Sequence, residues 1–177
     1  MGDSLSAAHN IATAQSWPVL LQKNLQQMDA GHRVINASIS GETTDGGLQR
    51  LPALLKKHHP DVVVLELGGN DGLRGYKFSR AKKNLARMIE LALAQQAQVL
   101  LIGVRMPPNL GPLYNRRFQK IFESLARQYA IAYLPRFLQG IAADKPEYMQ
   151  DDGIHPTALA QPLLAQRVAE ALRVMDL

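Results

Sequence analysis

The sequence predicts an α/β fold, a three-layer α/β/α sandwich on a parallel sheet, built as one domain over residues 1–177. Three observations carry this. Short apolar runs without polar alternation recur at 33–38, 61–67 and 98–104, as expected of strands covered on both faces. Amphipathic helical patterns separate them, and strict strand–helix alternation means parallel strands joined by crossovers. Right-handed crossovers then place helices on both faces of the sheet. No repeat, linker or low-complexity stretch divides the 177 residues, a length that suits one compact core.

Taken in order, residues 16–28 read as a helix, with Ser16 at its N-cap and Pro18 in its first turn. Residues 33–38 are the first apolar run. A helix over 43–58 follows and is stopped by Pro60. Val62-Val63-Val64-Leu65 and Val99-Leu100-Leu101-Ile102 form the hearts of two strands, and 131–134 is a shorter one. Between them, 79–96 carries Leu85, Met88, Ile89, Ala92 and Leu93 at helical spacing. Helices over 113–129 and 157–174 complete the pattern.

Composition removes several functions. The chain has no cysteine, which excludes disulfides, cysteine nucleophiles and Cys-ligated zinc. The net charge of +5 comes as scattered doublets, Lys56-Lys57, Lys82-Lys83 and Arg116-Arg117, all in helical segments. They read as solvated helix faces, not as a nucleic-acid footprint. Four Phe, five Tyr and one Trp offer little for base stacking. No apolar run approaches the ~18 residues of a membrane span. His58-His59 at a helix end cannot point one way, so no metal site is expected there, and His9 and His32 show no partner pattern.

In parallel sheets, ligands bind at the carboxyl ends of the strands. Four unusual segments lie at such positions: Gly2-Asp3-Ser4-Leu5-Ser6, Asn36-Ala37-Ser38-Ile39-Ser40-Gly41, Gly68-Gly69-Asn70-Asp71 and Asp151-Asp152-Gly153-Ile154-His155-Pro156. Together they hold the parts of acyl transfer. Ser4 supplies a nucleophile, and His155 an imidazole that can accept its proton. Asp152 stands three residues before His155, close enough in a turn to fix its tautomer. The amides of Ser4 and Gly41 and the Asn70 side chain can form an oxyanion hole. Gly41 suits close approach because it lacks a Cβ. Asp71 reads as a structural residue of its loop. Ser6 stands where a G-x-S-x-G elbow needs glycine, so this is not the α/β-hydrolase motif.

In this order and spacing, the four segments resemble the conserved blocks of the SGNH (GDSL) hydrolases. The four letters fall on Ser4, Gly41, Asn70 and His155. The stretches NASISGETTDGGLQRLPALL, ELGGNDGLRG and MQDDGIHP resemble more closely the bacterial thioesterase I, protease I and lysophospholipase L1 branch. The resemblance runs over nearly the whole chain. It implies a flavodoxin-like sheet and a serine esterase acting on acyl esters, thioesters or lysophospholipids. Its register favours Asp152 over Asp151 as the orienting carboxylate. It implies no cofactor and no metal, and a periplasmic location. Carbohydrate O-acetyl esterases in the same family and a non-catalytic flavodoxin-like binding domain are the alternatives.

Two further expectations follow. In the family a buried central strand leads into the GDS turn, whereas this sequence begins Met1-Gly2-Asp3-Ser4. The first strand, and any signal peptide with it, is therefore expected to lie upstream. The loops Leu73-Arg74-Gly75-Tyr76 and Met106-Pro107-Pro108-Asn109-Leu110-Gly111, with Ile154, are expected to border the substrate cleft. Both loops mix apolar side chains with glycine, which suits an acyl chain. A small-molecule acyl substrate, no nucleic acid, no membrane insertion and a monomer are expected.

Overall fold

The computed structural model describes residues 1–27, 31–135, 137–141 and 145–175. Its sheet has three parallel strands in the order β1 (Val62–Leu65), β2 (Gln98–Ile102) and β3 (Ala132–Leu134). Val63 pairs with Val99, and Leu101 with Tyr133. The helices are α1 (Trp17–Gln27), α2 (Thr44–His58), α3 (Gly69–Leu73), α4 (Phe78–Ala94), α5 (Pro112–Tyr129) and α6 (Gln161–Arg173).

The period-two geometry of a strand sends successive side chains to opposite faces, and both faces are apolar here. Val63, Leu65, Val99 and Leu101 pack with Leu51 and Leu55 of α2, Leu85, Met88 and Ile89 of α4, and Phe118 and Phe122 of α5. Leu100 and Ile102 pack on the other side, with Leu21 and Leu25 of α1 and Leu164 and Val168 of α6. This is the three-layer sandwich. Leu100, Leu101, Ile102, Phe118 and Phe122 are all fully buried. Each such side chain stabilises the fold by about 1.5–3 kcal/mol through burial.

Local chemistry sets the helix ends. The Thr43 hydroxyl accepts from the Gly46 amide and caps α2. His59 ends α2 in the left-handed conformation, just before Pro60. Ser16 directly precedes α1 and accepts from Leu20 N at 3.0 Å through its carbonyl, while its hydroxyl donates to Thr13 O at 2.7 Å. The start of the last predicted helix is a separate 3-10 turn, Ala158–Ala160, ahead of α6. Met28, the predicted end of the first helix, lies outside the described residues.

One predicted strand is corrected. Residues 33–38 join no ladder. An apolar extended run becomes a strand only when a neighbouring backbone accepts its hydrogen bonds. Here side chains take that part: Val34 N donates to Gln22 Oε1 at 2.6 Å, and Ser38 N to Asn36 Oδ1 at 3.1 Å. A cavity of about 590 Å³ separates this segment from Val62, Val63 and Val64 of β1. Beyond that cavity, Met1 and Gly2 run parallel to β1, with Glu66 N donating to Met1 O at 2.9 Å and Gly2 bridging Glu66. That bridge delivers Asp3 and Ser4 to the carboxyl end of the sheet.

Candidate active site

Ser4 sits in a turn organised by Asp3. Asp3 O accepts from the amides of Ser6 and Ala7, and Asp3 Oδ1 accepts from the Leu5 amide at 3.0 Å. An aspartate that bonds the backbone two residues on is a turn-forming device. Leu5 is buried, and its carbonyl accepts from Trp17 Nε1 at 3.1 Å. Ser4 is thus raised between two anchored neighbours. Gly2 is required at the entry: a Cβ there would stand 2.6 Å from Glu66 Oε2 and 2.8 Å from Ser6 Oγ.

His155 reaches Ser4 from the loop before α6. That loop is closed by Gln150 N donating to His155 O at 2.8 Å and by Thr157 N donating to Tyr148 O at 2.8 Å. Asp152 Oδ1 accepts the amides of Ile154 and His155 at 2.8 and 2.9 Å. Asp152 Oδ2 lies 2.7 Å from His155 Nδ1, and His155 Nε2 lies 2.7 Å from Ser4 Oγ. Burial opposes ionisation of Asp152, but the amide and ring of His155 and the amide of Ile154 outweigh it and hold the carboxyl at about 2. An ionised Asp152 can only accept, so the ring proton lies on Nδ1 and the Nε2 lone pair faces Ser4.

The loop carrying Gly41 is positioned by α2. Asp71 Oδ2 accepts the amide of Thr44, the first residue of α2, at 2.9 Å, and Asp71 Oδ1 accepts its hydroxyl. Arg50 of α2 holds the same loop through Glu42 Oε2 at 2.8 Å and Ala37 O at 2.7 Å. Gly41 itself has φ +79°, a conformation that favours glycine. Among the described residues, neither the Ser4 amide nor the Gly41 amide donates a hydrogen bond within the protein. The side-chain Nδ2 of Asn70, on α3, donates to Asp3 Oδ2 at 3.2 Å and to Glu42 O at 3.0 Å. The short helix α3 stands where the sequence suggested only a loop.

Two buried carboxyls lie beneath this turn. Burial pushes Asp3 up to about 6, against the Leu5 amide and the charge of His155. Glu66 is pushed well above the usual carboxylate range by burial and by Asp3 beside it. Glu66 Oε2 accepts from Ser6 Oγ at 2.8 Å, while Oε1 has no hydrogen-bond partner among the described residues. An unpartnered buried oxygen costs less on a neutral carboxyl than on an ionised one.

The loops expected at the cleft are brought partly together. Gly75 and Tyr76 share a groove of about 570 Å³ with Phe78, Leu110, Leu113 and Tyr114. Tyr114 closes its floor by donating to Gly72 O at 2.7 Å. Leu73 and Arg74 are exposed, and Arg74 donates to Gly41 O at 3.1 Å. Pro108 and Asn109 lie in an exposed 3-10 turn, Pro108–Leu110. Ile154 is half-buried beside Asp152.

Residues 1–161 match the GDSL-like lipase/acylhydrolase family. The chain belongs to that family. GDSL-like proteins similar to it include esterase TesA of Pseudomonas aeruginosa, 48% identical over 173 residues, or 98% of this chain and 86% of that protein. Thioesterase 1/protease 1/lysophospholipase L1 of Escherichia coli is 43% identical over 98% of this chain and 81% of its own length. Among solved structures, the psychrotrophic esterase EstA from Pseudoalteromonas sp., inhibited by monoethylphosphonate, superposes with a TM-score of 0.94. It is 36% identical, with 99% of this chain and 95% of that one covered. As a GDSL-like acylhydrolase, this protein is a serine esterase with the flavodoxin-like α/β fold.

Sequence reasoning missed Gln150, Glu66 and the positioning work of Asp3. Each acts through contacts between segments far apart in the chain, which spacing does not reveal. Asp3 stood inside a motif already singled out, so a turn-forming aspartate beside the serine was the available signal. Gln150 Nε2 donates to His9 O at 2.9 Å and Pro156 O at 3.0 Å, tying the turn that carries His9 to the loop that carries Asp152 and His155.

Proposed function

We propose that Ser4 is the nucleophile, His155 the general base and Asp152 the residue that orients it. The single observation that supports this most is the chain of two 2.7 Å contacts from Asp152 through His155 to Ser4. Ser4 Oγ attacks the acyl carbonyl as its proton passes to Nε2. The Ser4 and Gly41 amides, without partners among the described residues, receive the oxyanion, and Asn70 turns one of its amide protons toward it. Each such donor is worth about 3 kcal/mol in the transition state. His155 then protonates the leaving group, and water repeats the cycle on the acyl-serine. Asp152 stays a carboxylate throughout.

The groove at Gly75, Tyr76, Leu110 and Leu113 takes the acyl chain. Aromatic and aliphatic walls favour simple carboxylic esters, and the relatives' names extend the range to thioesters and lysophospholipids. Pro108, Asn109, Ile154, Leu73 and Arg74 contact the substrate outside this groove. No described helix is long and apolar enough to cross a membrane. The enzyme acts as a monomer, as a single domain, and in the periplasm. Light scattering and fractionation of the native gene product test the first and last of these.

The residue assignment is tested by treating the protein with a fluorophosphonate and mapping the adduct by mass spectrometry. The adduct is expected on the peptide containing Ser4. Stoichiometric labelling of another serine would reject the assignment.

A further inference from the structure

The acyl-transfer scheme leaves His9 unused, yet its ring lies on that of His155. The two centroids are 4.1 Å apart, with planes tilted by 35°. His9, Asp152 and His155 each bring one atom able to bind a metal, and these atoms all lie within 4.8 Å of one another. Two imidazoles and one carboxylate, with a water in the fourth position, are a donor set that zinc accepts. We propose that these three side chains form a binding site for Zn²⁺ that reversibly inhibits the esterase, a reading that rests on His155 being the base.

The donors are held in advance. Gln150 Nε2 bonds His9 O and Pro156 O, and the Gln150 amide bonds His155 O at 2.8 Å. One residue therefore ties the turn carrying His9 to the loop carrying Asp152 and His155. Pre-positioned ligands avoid the ordering cost of gathering them from separate loops. Asp152 commits Oδ1 to two backbone amides, while among the described residues Oδ2 meets only the His155 ring and keeps a lone pair to spare. The only side-chain hydrogen bond of His9, among the described residues, is to Asn10 Nδ2 at 3.2 Å, an exposed contact that an ion can displace. The Asp152 side chain is 38% exposed, so an ion reaches the cluster from solvent.

Binding disables the base. Asp152 Oδ2 faces Nδ1, so the ion that shares Asp152 binds His155 through Nδ1. The neutral ring then carries its one proton on Nε2 and has no lone pair for Ser4. A nitrogen-rich site discriminates against magnesium and calcium, which prefer all-oxygen shells.

The test has two readouts. Hydrolysis of p-nitrophenyl butyrate is measured against buffered free Zn²⁺, and zinc is titrated calorimetrically into the Ser4→Ala protein. Zinc is expected to inhibit fully, EDTA to restore the rate, and magnesium to have no effect. His9→Phe keeps a ring on His155 and the basal rate. It raises the zinc needed for half-inhibition by at least about tenfold, the scale of losing a group that supports a metal site. His9→Gln, without the ring, does the same, and both weaken calorimetric binding equally. Calorimetry needs no turnover, so zinc binding survives there even if Ser4 is not the nucleophile. Inhibition of His9→Phe at the parent's zinc concentration would overturn the site. Tight binding without loss of activity would overturn its inhibitory role.

Discussion

Asn70 Nδ2 lies 3.2 Å from Asp3 Oδ2, so the side chain assigned to the oxyanion is held by the residue directly before Ser4. Its other amide proton goes to Glu42 O. A developing oxyanion must draw one of these protons from its present acceptor, and Asp3 sets the angle from which it does so. Asn70→Ala is expected to lower kcat about 100-fold with KM little changed, the pattern of a contact made in the transition state. Asp3→Asn should cost about tenfold, because an amide still accepts but holds Asn70 less firmly. Steady-state kinetics decide it: a loss under about threefold in Asn70→Ala would leave Asn70 as a loop tie only.

The Asp3–Glu66 pair makes stability depend on pH. Both carboxyls sit above their ordinary values in the folded protein, Asp3 at about 6. The folded state then binds more protons than the unfolded chain above about pH 4, so this contribution to stability declines as pH rises toward 6 and beyond. Glu66→Gln keeps an acceptor for Ser6 and removes the charge. Its Tm relative to the parent is expected to rise between pH 4.5 and 7. A difference that stays constant with pH would show that Glu66 is not protonated in the folded protein.

Asp152, held at about 2, is ionised wherever the enzyme works. The kcat/KM profile should therefore show no inflection from Asp152 between about pH 4 and 9. Asp152→Asn presents an amide that can settle the wrong tautomer on His155, and kcat is expected to fall by about 10³–10⁴. A loss of only severalfold would mean that backbone contacts alone orient the ring.

Gly2→Ala places a methyl group 2.6 Å from Glu66 Oε2. Relief requires moving the buried glutamate or the turn that presents Ser4. Overpacking of this kind costs about 1–3 kcal/mol. Chemical denaturation should show that loss together with reduced turnover, and an unaltered midpoint would place slack beneath the turn.

The groove at Tyr76, Leu110 and Leu113 makes a distinct claim about specificity. Leu113 is 54% exposed at its edge, so a charge there is tolerated by the fold. Leu113→Asp is expected to lower kcat/KM for p-nitrophenyl octanoate about tenfold and to leave butyrate within about twofold. Equal effects on both esters would move the acyl chain elsewhere.

What the sequence disclosed follows from the range of the forces involved. Val62–Leu65 and Gln98–Ile102 were legible because double burial leaves an uninterrupted apolar run. Ser4, Asp152 and His155 were legible because their local motifs are short and adjoin strand or helix ends. Residues 33–38 misled for the same reason that β1 did not: the run is apolar, but whether it pairs depends on a neighbouring backbone that composition does not reveal. Helix α3 was hidden by Gly68 and Gly69, which weaken the helical signal. The stacking of His9 on His155 joins opposite ends of the chain, and no local pattern encodes it.

The central claim is tested most directly by comparing hydrolysis of p-nitrophenyl butyrate by the parent and by Ser4→Ala, with folding of both verified by circular dichroism. If Ser4 forms the acyl-enzyme, kcat falls at least about 1000-fold in a protein that remains folded. Equal rates in the two proteins would contradict the account, since no other group would then need the base that lies 2.7 Å from Ser4 Oγ.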